Sequence, residues 1–119
     1  MNTRRHTRIL PLAAWILAAP LTWLHANDGS SIDAGQIWTQ HCKKCHAADG
    51  SGSTKIGQTF GVRDYTDPAV QATFSDEEIV EVVKNGVIKN GKKKMPPYAD
   101  KLTDAEIDAL VQIVRGFAK

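Results

Sequence analysis

The amino-acid sequence predicts an all-α fold of about four helices, formed by one small domain. Two capping boxes support this fold class, one beginning at Ser75 and one at Thr103, because Ser or Thr followed three residues later by Glu is typical of a helix start. A third observation is an apolar stripe at helical spacing near the end of the chain. The chain has 119 residues and no internal repeat, which favours a single domain.

Residues 1–26 have the pattern of a secretory signal peptide. Arginines at positions 4, 5 and 8 precede an uncharged apolar run over 9–24, and Ala26 ends an imperfect cleavage site. The run has 16 residues, fewer than the ~20 that a membrane-spanning helix needs. We therefore expect cleavage after export and a periplasmic mature protein, with an uncleaved N-terminal anchor as the alternative.

Residues 27–119 are expected to form the folded domain, as a monomer without a membrane span. The full chain has a net charge of +2, but this part holds 12 Lys and Arg against 13 Asp and Glu, a net charge of −1. Such a balance gives no support to nucleic-acid binding, which needs a basic surface.

The first predicted helix covers 33–46, with Asp33 or Ser31 as its N-cap. It ends in Cys42-Lys43-Lys44-Cys45-His46, a C-x-x-C-H motif, which is an attachment signature of c-type haem. Residues three and four apart share a helix face, so Cys42, Cys45 and His46 point the same way. We predict one haem c per chain, bonded to both thiols, with His46 as an iron ligand.

Other interpretations of this motif account for fewer of its residues. A structural disulfide would leave His46 without a role, and a thioredoxin-type pair is typical of a βαβ context that the sequence does not show. A zinc site could use His41, Cys42, Cys45 and His46, but closed zinc sites usually draw ligands from two separated segments.

The middle of the chain is predicted to contain a loop over 48–53 and two helices. Asp67-Pro68 opens a short helix to about Thr73. The capping box at Ser75 opens the next helix, which we expect to end at Gly86 because Gly suits the position after a helix. A hairpin with a turn at Asn85-Gly86 is the alternative for this segment.

The last helix begins at Thr103 and is expected to pack its apolar stripe on Trp38 and the first helix. The residues of the stripe are Ile107, Leu110, Val111, Val114 and Phe117.

Met95 is the best candidate for the second iron ligand. It is the only Met in 27–119, and His41, the only other His there, is too close to His46 to reach the opposite haem face. A thioether is a known axial ligand of haem iron. Met95 is expected in a loop, because Pro96 and Pro97 cannot continue a helix.

Together these features resemble a class I cytochrome c, specifically the short monohaem bacterial type with His/Met ligation of the iron. The resemblance covers about 31–118 and follows the family's order: an aromatic residue, C-x-x-C-H, a Gly-rich loop, a capped middle helix, M-P-x-[FY] and a final amphipathic helix. The matching residues are Trp38, Cys42, Cys45, His46, Gly50, Gly52, Met95, Pro96 and Tyr98.

The resemblance implies an all-α fold wrapped around one haem that shuttles single electrons in the periplasm. The family usually has a Pro about a dozen residues after the haem motif, whose carbonyl orients the proximal imidazole. Gly57-Gln58 stands in that region here. We expect a backbone carbonyl to orient His46, but the sequence does not identify it.

Three functions remain open. A one-electron carrier, not an enzyme, is favoured because two protein ligands would fill both axial sites of the iron. Its partners would be redox proteins, a donor and a terminal acceptor such as an oxidase or other reductase. A haem enzyme or gas sensor would need an open site with polar groups around it. An electron-entry subunit of a membrane complex shares the carrier's chemistry and differs in its partner.

Six lysines are expected to lie around the haem edge, because the segments that carry them also carry the predicted haem-binding residues. They would make this end of the molecule positive and steer it toward an acidic patch on a partner. Simple solvation by these side chains is the alternative. The lysines are Lys43, Lys44, Lys89, Lys92, Lys93 and Lys94.

Overall fold

The computed structural model describes residues 31–119, and the predicted signal peptide over 1–26 lies outside them. Its helices and strands follow the order α1, a π-helical turn, α2, α3, α4, α5, β1, β2 and α6. The first three form one continuous helical stretch. The bounds are Ala34–Ile37 for α1, Trp38–Cys42 for the π-helical turn, Lys43–His46 for α2, Lys55–Phe60 for α3, Pro68–Gln71 for α4, Asp76–Asn85 for α5, Val87–Lys89 for β1, Lys92–Met95 for β2 and Asp104–Gly116 for α6.

The first helical stretch confirms the helix predicted over 33–46, with one local difference. The Asp33 side chain caps it by accepting a hydrogen bond from the Gln36 amide at 2.9 Å. The π-helical turn ends at Cys42, the first residue of the motif, and such turns occur often at functional sites. Directly after His46, Ala47 adopts a φ of 68°, which is uncommon for a residue with a Cβ. The Trp38 indole donates to the Ala47 carbonyl at 3.0 Å and so holds this chain reversal in place.

Helix α3 was not predicted and follows the Gly-rich loop. The hydroxyl of Thr54 accepts from the Gly57 amide at 2.9 Å and donates to the Cys45 carbonyl at 3.0 Å. The same side chain therefore caps α3 and fastens it to the end of the haem motif. Gly57 also lets α3 pack closely against the end of the haem motif, because a Cβ at this position would collide with the backbone oxygens of Cys45 and Gly52.

Helix α5 confirms the prediction of a helix that starts at Ser75 and stops at Gly86. The capping box is complete, since the Ser75 hydroxyl accepts from the Glu78 amide and the Glu78 carboxylate accepts from the Ser75 amide. The last turn closes with a hydrogen bond from the Gly86 amide to the Val82 carbonyl at 2.8 Å. Gly86 has a φ of 71°, which is why glycine suits this position.

A small antiparallel sheet follows α5 and adds to the predicted all-α architecture. Strands β1 and β2 pair with Val87 opposite Met95, and the register shifts between Val87 and Ile88. The turn is Asn90-Gly91, both with positive φ, as a two-residue hairpin turn requires. Met95 therefore ends a strand and does not lie in the predicted loop.

Helix α6 forms the centre of the core, as its apolar stripe predicts. Ile107 is fully buried and Leu110 nearly so. The helix packs across the first helical stretch, and the rings of Trp38 and Phe117 lie 4.9 Å apart. The buried apolar residues that surround these contacts are Trp38, Ile79, Val83, Tyr98, Leu102, Ile107, Leu110, Val111 and Val114.

Arg115 connects α6 to the segment around α4. Its guanidinium donates to the carbonyls of Gln71 and Phe74, each at 2.8 Å, and to the Asp76 carboxylate at 2.7 Å. Gln71 is itself buried and donates to the carbonyls of Tyr65 and Val114. Arg115 thus holds Phe74 directly and Tyr65 through Gln71, which fixes both aromatic residues relative to α6.

Within 31–119, none of the helices has both the length and the apolar character that crossing a bilayer requires.

Candidate haem site

One cavity of about 560 Å³ opens between the first helical stretch, α3, α5 and the hairpin. This volume falls within the range of roughly 300–1,000 Å³ that small-molecule sites occupy. All four residues predicted to bind the cofactor line it: Cys42, Cys45, His46 and Met95. The structure therefore brings together the C-x-x-C-H motif and a methionine that is distant from it in sequence.

The two cysteines are not joined to each other, and both line the cavity. Burial, with a smaller contribution from the neighbouring Cys45, raises the pKa of the Cys42 thiol to about 11. This thiol is thus protonated at neutral pH, whereas nucleophilic or metal-binding cysteines act as thiolates. Among the described residues, no three His, Cys, Asp or Glu side chains are grouped as a metal ion would require, so the zinc alternative gains no support there.

The imidazole of His46 lies between two aromatic side chains. It stacks on Tyr65, with ring centroids 5.4 Å apart and planes inclined by 12°, and Trp38 lies at 5.6 Å on a tilted plane. Burial lowers the pKa of His46, which favours the neutral imidazole that binds metals. Its Nδ1 atom is buried and has no hydrogen-bond partner in the part of the chain that the structure describes, so the expected carbonyl is not found.

Met95 lines the cavity from the end of β2. The segment after it is fastened to α5, since the Tyr98 amide donates to the Val83 carbonyl at 2.9 Å. The Tyr98 hydroxyl donates to the His41 carbonyl at 3.0 Å, next to Cys42. Tyr98 therefore links the segment that carries Met95 to the helix that carries the motif.

The cavity rim carries charges of both signs. Arg63, Lys89 and Lys94 line it, and Lys94 places its ammonium 4.8 Å from the centre of the Phe60 ring. Two acidic residues of α5, Glu78 and Glu81, also line it. Of the six lysines expected around the haem edge, Lys89 and Lys94 of the hairpin line the cavity, and the α5 side of the rim is acidic.

Comparison with known proteins identifies the family. A family model described as "Cytochrome C oxidase, cbb3-type, subunit III" matches residues 32–112. Cytochrome c6 from Bryopsis maxima is 33% identical over 87 residues, which are 72% of this chain and 91% of that protein. The chain belongs to the cytochrome c family. It is a small class I monohaem cytochrome c, as the sequence predicts.

Solved structures agree with this assignment of the cytochrome. The c-type cytochrome KustC0563 is 42% identical and superposes with a TM-score of 0.64, covering 74% of this chain and 100% of that chain. A Tyr-to-Phe mutant of the same protein aligns with the same identity and TM-score, over 72% of this chain and 99% of that one. The predicted helical fold around a haem site is confirmed.

The residues of this cytochrome fit the cofactor of its family. Cytochromes c carry covalently attached haem c. The mainly apolar cavity is lined by two thiols, the imidazoles of His41 and His46, and one thioether, and this set includes the donors that haem c uses. The cofactor is haem c, one per chain, and the cytochrome is a haem-based electron carrier.

Sequence reasoning missed several residues that line the site. Phe60 ends the unpredicted helix α3 and Arg63 follows it. Phe74 is held by the distant Arg115, and Tyr65 is linked to Arg115 through Gln71. A Thr54 cap followed by Gly61 was the available signal for α3, and Asn90-Gly91 was the signal for the hairpin.

Proposed function

We propose that this cytochrome is a periplasmic one-electron carrier whose haem is bonded to Cys42 and Cys45 and held by His46 and Met95. Electron transport by a haem protein follows from the family, and the ligands and the location are the added claims. The periplasmic location rests on the signal pattern of residues 1–26. Both thiols would be bonded to haem after export, which removes them from disulfide exchange in an oxidising compartment.

The observation that carries the ligand proposal is the shared cavity. Met95 and the three motif residues line the same space although α3, α4, α5 and β1 lie between them in the sequence. Met95 is the only Met among residues 27–119, and Cys45 and His46 are separated from it by α3, α4 and α5. Met95 packs against the hydrophobic core, but it also lines the cavity that contains the haem motif, as a ligand of the iron must.

The surroundings of the site suit electron transfer more than catalysis. When bound, haem supplies an iron that alternates between the ferric and ferrous states. His46 stays neutral because it is buried, and Trp38 and Tyr65 restrict the rotation of its ring. Ile79 and Val83 form an apolar part of the cavity wall, and such a hydrophobic shell limits the access of solvent to a redox centre.

A second candidate function has a specific observation in its favour. The matching family model is named for a subunit of a cbb3-type oxidase. An electron-entry subunit of such a membrane complex would use the same four residues and differ only in a fixed partner. Retention of residues 1–26 as an anchor would fit that role.

Covalent attachment through both thiols is the first expected outcome. Haem should stay with the polypeptide when the purified protein is denatured in acidic organic solvent, because thioether bonds survive unfolding. Cys42→Ala or Cys45→Ala should leave a single linkage and much less holoprotein. The pyridine haemochrome spectrum counts the linkages, since each lost thioether restores a vinyl group and moves the band to longer wavelength. Free extraction of haem from the wild type would refute the attachment.

Met95→Ala should open the iron and lower its reduction potential, because a thioether favours the ferrous state. Axial ligands move haem potentials over about 0.8 V, so we expect a fall on the order of 100 mV in a potentiometric titration. Cyanide should bind the ferric Met95→Ala variant at least about tenfold more tightly than it binds the wild type. This ratio corresponds to ~1.4 kcal/mol of binding free energy.

A matched control for this experiment is Met95→His. It replaces the thioether by an imidazole, which binds ferric iron more strongly, so the iron should remain closed to cyanide while the potential still falls. An unchanged potential in Met95→Ala, together with unchanged cyanide binding, would show that Met95 does not bind the iron.

The hairpin provides a docking surface for an acidic redox partner. Lys89, Lys92 and Lys93 are exposed on its two strands, and Ile88 is 72% exposed between them. No acidic residue occurs from Val87 to Ala99, so this basic hairpin is positive throughout. An acidic patch with an apolar centre on the donor or acceptor would complement it.

Docking on the basic hairpin predicts a dependence of electron-transfer rate on salt. The second-order rate with ferricyanide, an anionic oxidant, should fall as ionic strength rises, and the rate with a cationic cobalt(III) complex should rise, since the Debye length is ~10 Å at 0.1 M. Lys92→Glu combined with Lys93→Glu should slow the ferricyanide reaction. Lys55→Glu with Lys119→Glu changes the net charge equally and serves as the control. Equal effects of the two pairs, or rates that ignore salt, would reject docking on the hairpin.

A further inference from the structure

Gly86 lies against the backbone that carries Met95. A Cβ built on Gly86 would come within 2.8 Å of the Pro97 nitrogen and 2.9 Å of the Pro96 carbonyl carbon, and it would collide with the Met95 carbonyl oxygen. All three neighbours are backbone atoms, which cannot turn aside as the end of a side chain can. The segment from Met95 to Pro97 therefore occupies the space that any other residue at 86 would fill.

The backbone of Gly86 adds a second requirement for glycine. Its φ of 71° and ψ of −170° lie in a region that residues with a Cβ essentially do not adopt. Its amide is bonded to the Val82 carbonyl at 2.8 Å, so α5 fixes its position. Gly86 is thus held at the end of α5 and contacts the backbone of the segment from Met95 to Pro97.

The neighbouring contacts keep that segment pressed against Gly86. On one side, Val87 pairs with Met95 across the hairpin. On the other side, the Tyr98 amide is bonded to the Val83 carbonyl, and the Tyr98 hydroxyl donates to the His41 carbonyl at 3.0 Å. The segment between these anchors contains Pro96 and Pro97, whose fixed φ leaves little freedom to absorb a displacement.

We propose that Gly86 is a positioning residue for the sixth iron ligand: its missing Cβ lets the segment from Met95 to Pro97 lie close enough to α5 for the Met95 thioether to reach the iron. This inference rests on the proposed His46/Met95 ligation. A side chain at 86 pushes the segment away from α5 and takes the thioether with it. The haem itself stays attached, because its thioether bonds involve the other side of the cavity.

Gly91 offers a matched control within the same hairpin. It also has a positive φ, +69°, so alanine there is strained by the backbone, but a Cβ would have no atom of residues 31–119 within 4 Å. A comparison of Gly86→Ala with Gly91→Ala therefore separates collision with the Met95 segment from backbone strain in the hairpin.

The test uses full-length exported holoprotein in the ferric state. The long-wavelength charge-transfer band of thioether-bound ferric haem reports Met95 directly, and imidazole titration reports how easily the sixth site opens. Gly86→Ala should lose most of the band and bind imidazole roughly tenfold more tightly than the wild type, while Gly91→Ala stays within about twofold of it. Far-ultraviolet circular dichroism should show that both variants keep their helices.

Tyr98→Phe tests the same positioning without a new side-chain collision. It removes only the hydroxyl that binds the His41 carbonyl, so imidazole should bind roughly fivefold more tightly, the ratio for the loss of one hydrogen bond. This variant keeps the proposal falsifiable if Gly86→Ala yields no holoprotein.

The outcomes separate this inference from the proposed function. A wild type without the thioether band overturns the ligation, and this inference with it. A wild type with the band, together with a Gly86→Ala variant that keeps both the band and wild-type imidazole affinity, overturns only the role of Gly86. Equal losses in Gly86→Ala and Gly91→Ala overturn it as well, since strain alone would then explain the effect. Failure of Gly86→Ala to give holoprotein, together with unchanged imidazole affinity in Tyr98→Phe, also overturns it.

Discussion

The structure depends on one geometric constraint: two segments distant in sequence must face a single apolar cavity. One segment holds two thiols and an imidazole on the same helix face, and the other brings a thioether from the end of a strand. The rest of the domain fixes the positions of these two segments relative to each other. Trp38 contributes twice, because it packs against Phe117, directly after α6, and holds the chain reversal after His46.

A domain of this size buries little apolar surface without its cofactor. Small domains usually need an additional stabilising element, such as a disulfide, a metal or a bound cofactor. The polar contacts of this chain are concentrated where they fix the cavity walls. Arg115 and Gln71 fix Tyr65 and Phe74, and Thr54 fastens α3 to Cys45. The cavity is therefore shaped largely by hydrogen bonds to backbone oxygens, which define position more narrowly than apolar packing does.

The elements that sequence reasoning predicted are those with strong local signals. The capping boxes at Ser75 and Thr103 mark their helices because side chain and backbone satisfy each other within four residues. Helix α3 has only six residues and a central Gly57, whose value lies in a contact with the distant Cys45 carbonyl. The hairpin strands consist mostly of lysine and lack apolar alternation, so Asn90-Gly91 was their only signal. The presence of the motif residues and Met95 at one cavity could be predicted because haem chemistry restricts which residues can serve, and their binding of the haem stays a prediction. The position of Tyr65 depends on Gln71 and, through it, on Arg115, far along the chain.

The most direct test of the central claim is the absorption spectrum of the purified, exported wild-type protein in both redox states, recorded with and without carbon monoxide. Ligation by His46 and Met95 predicts a low-spin, six-coordinate iron in both states and a ferrous spectrum that carbon monoxide leaves unchanged. A high-spin ferric spectrum, with a ferrous form that binds carbon monoxide readily, would contradict the account and would favour a haem enzyme or gas sensor with an open site.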